Sequence, residues 1–514
     1  MVQYPNPVIN ADFPDPDIIR VGDTYYMAST TMYFMPGGDI LRSWDLVHWE
    51  FVGHVFETLE DTPAHRLEDG RQIYGQGMWA PSLRFHKGIF YLTFSCNDTH
   101  KSLLFQASDP AGPWQRVEMG GFFYDASLFF DDDGRVYIVH GNTTLRLTEL
   151  DVKTWGPKPG GLDRIVAEDQ PGQRLGYEGS HLYKHDGRYY LFTCHMPQDG
   201  KFLKTEDCFL SDSLTGIFRK KTILDDNMGY RSYGVAQGGM VDTPEGDWYA
   251  FMFQDRGALG RSPVIMPMGF DREGFPVLGD CGRVPSAVAP AGGDNGQQYA
   301  PLNGSDDFRS DEDGTMRLAP FWQFSHNPDP KGWAILPQEG IFRLTARRTS
   351  PNLLLARNTL TQRCVGPRSS AWVTLNGSGL NEGDFAGICA YQSCYGAIAL
   401  TKRENRFQIV MMGRPSTEPG NRGEFDYAKP PVEYAVARID KSMVTLRVDT
   451  DFSTDTASFS YLGEVGGWKP LGIVQRLSFK LDLFTGCRFG LFCYSTVRPG
   501  GKADFSDFRF QSTE

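Results

Sequence analysis

Positive charge is in short supply in this chain of 514 residues: 51 lysines and arginines face 63 aspartates and glutamates, a formal charge of −12. So acidic a chain has no general attraction for a polyanion, which argues against a nucleic-acid partner. No apolar run approaches the length that spans a bilayer, so no membrane partner is expected. The N-terminal MVQYPNPVIN lacks a basic stretch followed by an apolar one, and the expectation is a cytoplasmic protein, or a secreted or periplasmic one where a leader has been trimmed. The nine cysteines are an odd number without a single CxxC pair, which excludes a zinc ribbon and a disulfide framework. Cys96 and Cys194 sit in strand-like segments and read as buried free thiols. P-loop, dinucleotide and G-x-S-x-G signatures are missing. Residues 1–290 also show almost no sustained helical period.

Turns and aromatics are plentiful instead. Five segments place an aromatic three residues after a turn glycine: VGDTYYMAS (21–29), KGIFYLTFS (87–95), DGRVYIVHG (133–141), DGRYYLFTC (186–194) and EGDWYAFMF (245–253). Each reads as a hairpin whose second strand is rich in Tyr, Phe, Val and Ile. Nine residues before Gly88, Gly134, Gly187 and Gly246 stand Trp79, Asp125, Glu178 and Gln237; in the shorter first unit Asp15 stands seven before Gly22. A lone hairpin leaves one face unburied, so repeated hairpins must stack. Five closing into a ring make a β-propeller, which also removes exposed sheet edges; an open sandwich array is the alternative.

The fold expected is therefore all-β, a five-bladed propeller over 1–290 followed by a β-sandwich over 307–514. The Pro-, Gly- and Asn-rich stretch at 284–308 supplies the linker, placed at 291–306. Beyond it, short strand patterns such as AWVTLNG, FQIVMMG and MVTLRVD suit a sandwich. DDF (306–308) and DFSDFRF (504–510) are expected to pair as its edge strands.

In a propeller the innermost strands run along the axis, so residues at equivalent positions converge on one opening. Asp15, Trp79, Asp125, Glu178 and Gln237 should ring one pocket. A single acid ahead of a strand usually caps a turn in solvent; three in one register of a repeat point to a site. Crowded, buried carboxyls have raised pKa values, giving a protonated acid beside a carboxylate base, the pair that glycosidic cleavage needs. Trp79 offers an apolar face to a sugar, or ordinary packing. Clustered acids also suggest calcium, but Asp131-Asp132-Asp133-Gly134 reads as a polar hairpin turn.

The same residues resemble glycoside hydrolase family 43, through NPVINADFPDPDIIRVGDTYY (6–26), WAPSLRFHKGIFY (79–91), YDASLFFDDDGRVY (124–137), YEGSHLYKHDGRYYL (177–191), QGGMVDTPEGDWY (237–249) and LGRSPVIMPM (259–268). FWQFSHNPD (321–329), ARNTLTQR (356–363) and GDFAGI (383–388) resemble the concanavalin-like sandwich of its β-xylosidase branch. The resemblance implies an exo-acting inverting hydrolase that releases terminal β-D-xylose, α-L-arabinofuranose or both from small oligosaccharides of plant cell walls. It implies Asp15 as general base, Glu178 as general acid and Asp125 as the residue tuning and orienting the acid. Arg261 would reach the sugar and the acids, while Phe34 and Trp79 would shape the sugar subsite and Gln237 completes the ring. Many members carry a histidine, associated with an axial calcium or water, where this chain has Gln237 beside Ala236. The expectation is thus no metal ligands and no required cofactor, with an axial calcium or sodium doubtful. A carbohydrate-binding protein without catalysis and a retaining β-fructosidase remain as alternatives, though PDPD (14–17) is not the fructosidase nucleophile motif. Nothing in the sequence selects an oligomeric state, so a homo-oligomer stays open.

Overall fold

The turn glycines do what the repeat requires. Gly22, Gly88, Gly134, Gly187 and Gly246 all have positive φ, the region open to a residue without Cβ, and each closes a hairpin between the first two strands of a four- or five-stranded antiparallel sheet. The inner strands are Asp17–Val21, Met78–His86, Ser127–Phe130, Leu175–His185 and Val235–Asp242, one per blade. Each contacts the next around a circle, and the fifth contacts the first. The protein is thus a five-bladed propeller in this computed structural model, which describes all residues except 1, 202, 232, 294–295, 310–316, 419–423 and 514. Among the described residues there is no α-helix, only a 3-10 turn at Gly257–Leu259. The N-terminal segment closes the ring: Tyr4–Pro5 pairs with Ala287–Val288, and the backbone amides of Val8 and Phe13 donate to the carbonyls of Pro263 and Arg261 in the fifth blade.

Blade-to-blade packing is apolar. Large side chains such as Phe90, Leu92, Phe105, Phe192, Met252 and Met266 fill the gaps between sheets, where burial of roughly 25 cal/mol per Å² supplies the cohesion. Cys96 and Cys194 are buried free thiols; eight of the nine cysteines are buried, and Cys281 is exposed.

The second domain is a sandwich of two large antiparallel sheets. The C-terminal strand Lys502–Thr513 pairs with both Ile341–Thr345 and Arg368–Asn376, so it lies inside its sheet. The expected contact with DDF exists as a single bridge, Asp306 to Phe508, but neither partner forms a sheet edge. Non-local pairing decides this: the alternation of DFSDFRF fits any half-buried strand, and only the partners fix its place.

The domains share a core. Phe34–Met35, in the first blade's connection, pairs with Gln323–Ser325 and becomes an outer strand of the sandwich's eight-stranded sheet. Tyr33, Tyr74, Tyr391, Phe492 and Leu483 pack together across the boundary, with the hydroxyls of Tyr74 and Tyr391 2.6 Å apart.

Candidate active site

The repeated position is where each inner strand leaves its ladder. Asp15, Asp125 and Gln237 have φ of 52°, 46° and 61°, a left-handed conformation that costs a non-glycine residue of order 1 kcal/mol and concentrates at functional sites. In the second, fourth and fifth blades the pairing shifts register between Trp79 and Ser82, Glu178 and His181, and Ala236 and Gly239. Such bulges re-aim a side chain out of the sheet. Gly179 has φ 67° and must be glycine for a second reason: a Cβ there would lie 2.5 Å from Cγ of Gln237.

These departures bring the three acids together. Asp15 is buried; Arg261 Nη1 lies 3.1 Å from its Oδ1, and Thr30 donates to its Oδ2 at 2.7 Å. Both oxygens therefore accept from fixed donors. Glu178 Oε2 accepts from Asn142 Nδ2 at 2.6 Å and from the Tyr124 hydroxyl at 3.4 Å. Burial pushes the Glu178 carboxyl up to about 6, with the charge of Asp15 adding to the rise and nearby Lys204 opposing it. Asp125 is pushed well above the usual carboxylate range, first by burial and then by the charges of Glu178 and Asp15. Glu178 and Asp125 thus titrate as a pair that holds a proton to a higher pH than either would alone. The backbone locks them: Ser180 N–H donates to the Asp125 carbonyl at 3.3 Å.

Trp79 is half-buried, its ring 6.1 Å from that of Tyr124 and 5.6 Å from that of Phe484. Gln237 is wedged deeper, its backbone N–H held by Glu206 Oε2 at 2.7 Å and its side-chain oxygen 3.8 Å from the Cys194 thiol. Phe34 is enclosed instead. It is 1 % exposed, with the Arg488 guanidinium 3.5 Å from its ring centroid. The pairing of Phe34 with Ser325 places it in the interdomain core.

Several residues of the pocket went unsingled in the sequence. Phe484, from the sandwich, lies with its ring 4.7 Å from the Arg261 guanidinium. Lys204 pairs with Asp255 at 2.9 Å beside the fourth-blade acid. Asp12 joins these parts: its Oδ1 accepts from Arg261 N–H at 2.8 Å, and its Oδ2 accepts from Gly486 N–H at 2.8 Å and from the Thr485 hydroxyl at 3.2 Å. A Cβ on Gly260 would lie 2.3 Å from Asp12 Oδ1, so glycine is needed there for the carboxylate to approach. The adjacent YDAS and PDPD runs carry Tyr124 and Asp12 in or beside motifs already noted; Phe484 and Lys204 lie outside the repeat, without a comparable signal.

A bladed ring with one carboxyl held by cation and hydroxyl donors, another pushed toward neutrality and aromatic walls defines a glycoside hydrolase. Residues 4–276 match Glycosyl hydrolases family 43, and residues 305–511 match the Beta xylosidase C-terminal Concanavalin A-like domain. The chain belongs to family 43, of the β-xylosidase and α-L-arabinofuranosidase type. A Beta-xylosidase from Formosa agariphila is 26 % identical over 99 % of this chain and 90 % of its own. A Non-reducing end alpha-L-arabinofuranosidase from Bacteroides ovatus is 28 % identical over 66 % of this chain and 64 % of its own. A solved bifunctional GH43-CE protein of Bacteroides eggerthii superposes with a TM-score of 0.89 at 36 % identity; the match covers all of this chain and 64 % of that longer one.

Proposed function

We propose that this enzyme removes single terminal β-D-xylose or α-L-arabinofuranose units from cell-wall oligosaccharides, with inversion. The observation that carries this reading is the asymmetry of the acids: Asp15 is salt-bridged to Arg261, while burial lifts Glu178 to about 6. Asp15 accepts a proton from water as that water attacks the anomeric carbon. Glu178 gives its proton to the departing oxygen. Asp125, buried beside Glu178, keeps the proton on the pair. Arg261 Nε and Nη2 are buried without a protein partner, and two such donors are suited to sugar hydroxyls. Phe484 walls the pocket from the sandwich side, which favours a substrate that enters end-on. The test is hydrolysis of p-nitrophenyl β-xyloside and α-arabinofuranoside followed by NMR of the first-formed sugar. Inverted anomer first supports the proposal; retained anomer, or no hydrolysis by folded protein, refutes it.

The protonated form of Glu178 is the active one, so kcat/KM falls as pH rises through about 6. Replacing Asp125 by Asn removes the group that shares the proton and its repulsion. The alkaline limb of the pH profile is then expected to move to lower pH, read from kcat/KM across pH 4–9 (~half-unit steps suffice to resolve shifts of about a unit). A limb that stays in place excludes Asp125 from proton holding.

A divalent cation on the axis does not suit the residues inside the ring. Asp17, the buried carboxylate there, has its Oδ2 taken by the Arg84 guanidinium at 2.6 Å and by Leu83 N–H at 2.8 Å. The same guanidinium donates to Ser127 Oγ and to the Leu128 carbonyl, each at 2.8 Å. An organic cation thus bridges three blades, and the remaining oxygen, Asp17 Oδ1, is without a hydrogen bond and faces the His181 imidazole at 3.7 Å, where calcium would need about six to eight oxygens. Among the described residues no cluster of three His, Cys, Asp or Glu side chains could hold a metal. Dialysis against EDTA is expected to leave kcat/KM unchanged; loss restored by calcium would contradict this.

A further inference from the structure

The sandwich carries an aromatic surface that the pocket does not use. On the sheet formed by Arg368–Asn376, Met443–Asp451, Thr456–Leu462 and Trp468–Pro470, alternate residues such as Ala371, Val373, Leu446 and Val448 face the core, so Trp372 and Arg447 face outward. They stand opposite each other in register. Trp468, on the neighbouring edge, is 37 % exposed. The Arg447 guanidinium lies 5.3 Å from the Trp372 ring and 5.2 Å from the Trp468 ring, and the two indoles are 6.2 Å apart. Arg447 does not move freely: its Nε donates to both oxygens of Asp449 at 2.8 and 2.9 Å, and its Nη2 reaches Ser370 at 3.2 Å. Cation and carboxylate thereby hold the two indoles in place, so little side-chain entropy remains to be lost on binding.

Next to this pair lies a cavity of about 390 Å³ lined by Thr374, Thr445, Lys441 and Lys469. Thr374 and Thr445 hydroxyls are 3.1 Å apart, one step along the same two strands from Trp372 and Arg447. Aromatic faces beside a row of hydroxyls and ammonium groups form the combination that recognises a sugar, whose C–H face packs on a ring while its hydroxyls exchange hydrogen bonds.

We propose that this face of the sandwich is a second carbohydrate site, which holds a β-linked pentose polymer while its side chains or ends are cleaved in the propeller. The choice of polymer rests on the activity proposed above. A polysaccharide fits better than a second copy of the chain, because Arg447 is already paired with Asp449 and the cavity beside the indoles is lined by hydroxyls and by charges of both signs, Lys441, Lys469, Asp440 and Glu464, groups that exchange hydrogen bonds with sugar hydroxyls rather than form an apolar seam. Met443 and Leu462 beside the cavity are exposed, and they are the residues a self-association would use instead.

The test is affinity electrophoresis of the full chain through gels containing soluble arabinoxylan. Wild type should be retarded, Trp468→Ala should bind about tenfold more weakly, and Trp468→Phe should keep most of the retardation, since a ring is retained. Release of p-nitrophenol from aryl pentosides should be the same for all three, which shows that the variants are folded. Equal migration of wild type and Trp468→Ala, or a wild type without retardation, overturns the proposal. So does a dimer in sedimentation that Trp468→Ala converts to monomer, because the face would then be an interface between copies. Absence of aryl-pentoside hydrolysis refutes the enzymatic reading alone; retention in the gel is read separately.

Discussion

Glu178→Gln is expected to lower kcat/KM on unactivated xylo- or arabino-oligosaccharides by about 10³-fold, within the range general acid catalysis contributes, and by roughly tenfold or less on dinitrophenyl glycosides. The difference follows from the leaving group. An alkoxide cannot depart without a proton, whereas dinitrophenolate is stable as it leaves. Gln keeps the shape of Glu178 and its acceptor for Asn142, so the pocket should persist. The alkaline limb near pH 6 should vanish on the activated substrate, because the group assigned to it is gone. Equal losses on both substrates would remove Glu178 from the acid role and leave it a binding residue.

Asp15→Asn should cost about 10³-fold or more on every substrate, since base assistance to water is needed whatever leaves. Azide needs no base. Added azide is therefore expected to restore turnover of the activated substrate and to yield a glycosyl azide of inverted configuration. The amide also breaks the ion pair with Arg261, leaving a buried guanidinium uncompensated at a cost of about 3 kcal/mol or more, so a thermal melt should accompany the kinetics. Retained configuration in the azide product, or rescue by no small anion in a protein that is still folded, would refute a base role for Asp15.

Much of this site was readable because a propeller converts sequence period into geometry. Trp79, Asp125, Glu178 and Gln237 share one offset from a turn glycine, and Asp15 holds the equivalent place in a shorter hairpin; any closed ring of such hairpins must bring that position to one mouth. The offset did not reveal the backbone: Asp15, Asp125 and Gln237 share a left-handed φ while Trp79 and Glu178 sit at bulges, because side-chain period says nothing of local strain. Nor did the offset show the two-residue strand that sets Phe34 in the interdomain sheet. Such short pairings leave no periodic trace. Phe484 was hidden for a related reason: it lies in the second domain, far along the chain from every acid, and only tertiary packing brings it to Arg261.

Asp12 has a consequence for how the molecule can be divided. Its carboxylate binds the first residue of the strand that begins at Arg261 and, on its other oxygen, the two residues after Phe484. One side chain therefore ties together the strand that carries Arg261, which pairs with Asp15, and the segment that carries Phe484. Cutting the chain between its domains would leave that carboxylate with one of its three donors and open its other oxygen to water. The isolated propeller would keep all three acids and lose the reference point from which they are aligned. In this protein the catalytic unit is the pair of domains, with its seam passing through a single aspartate.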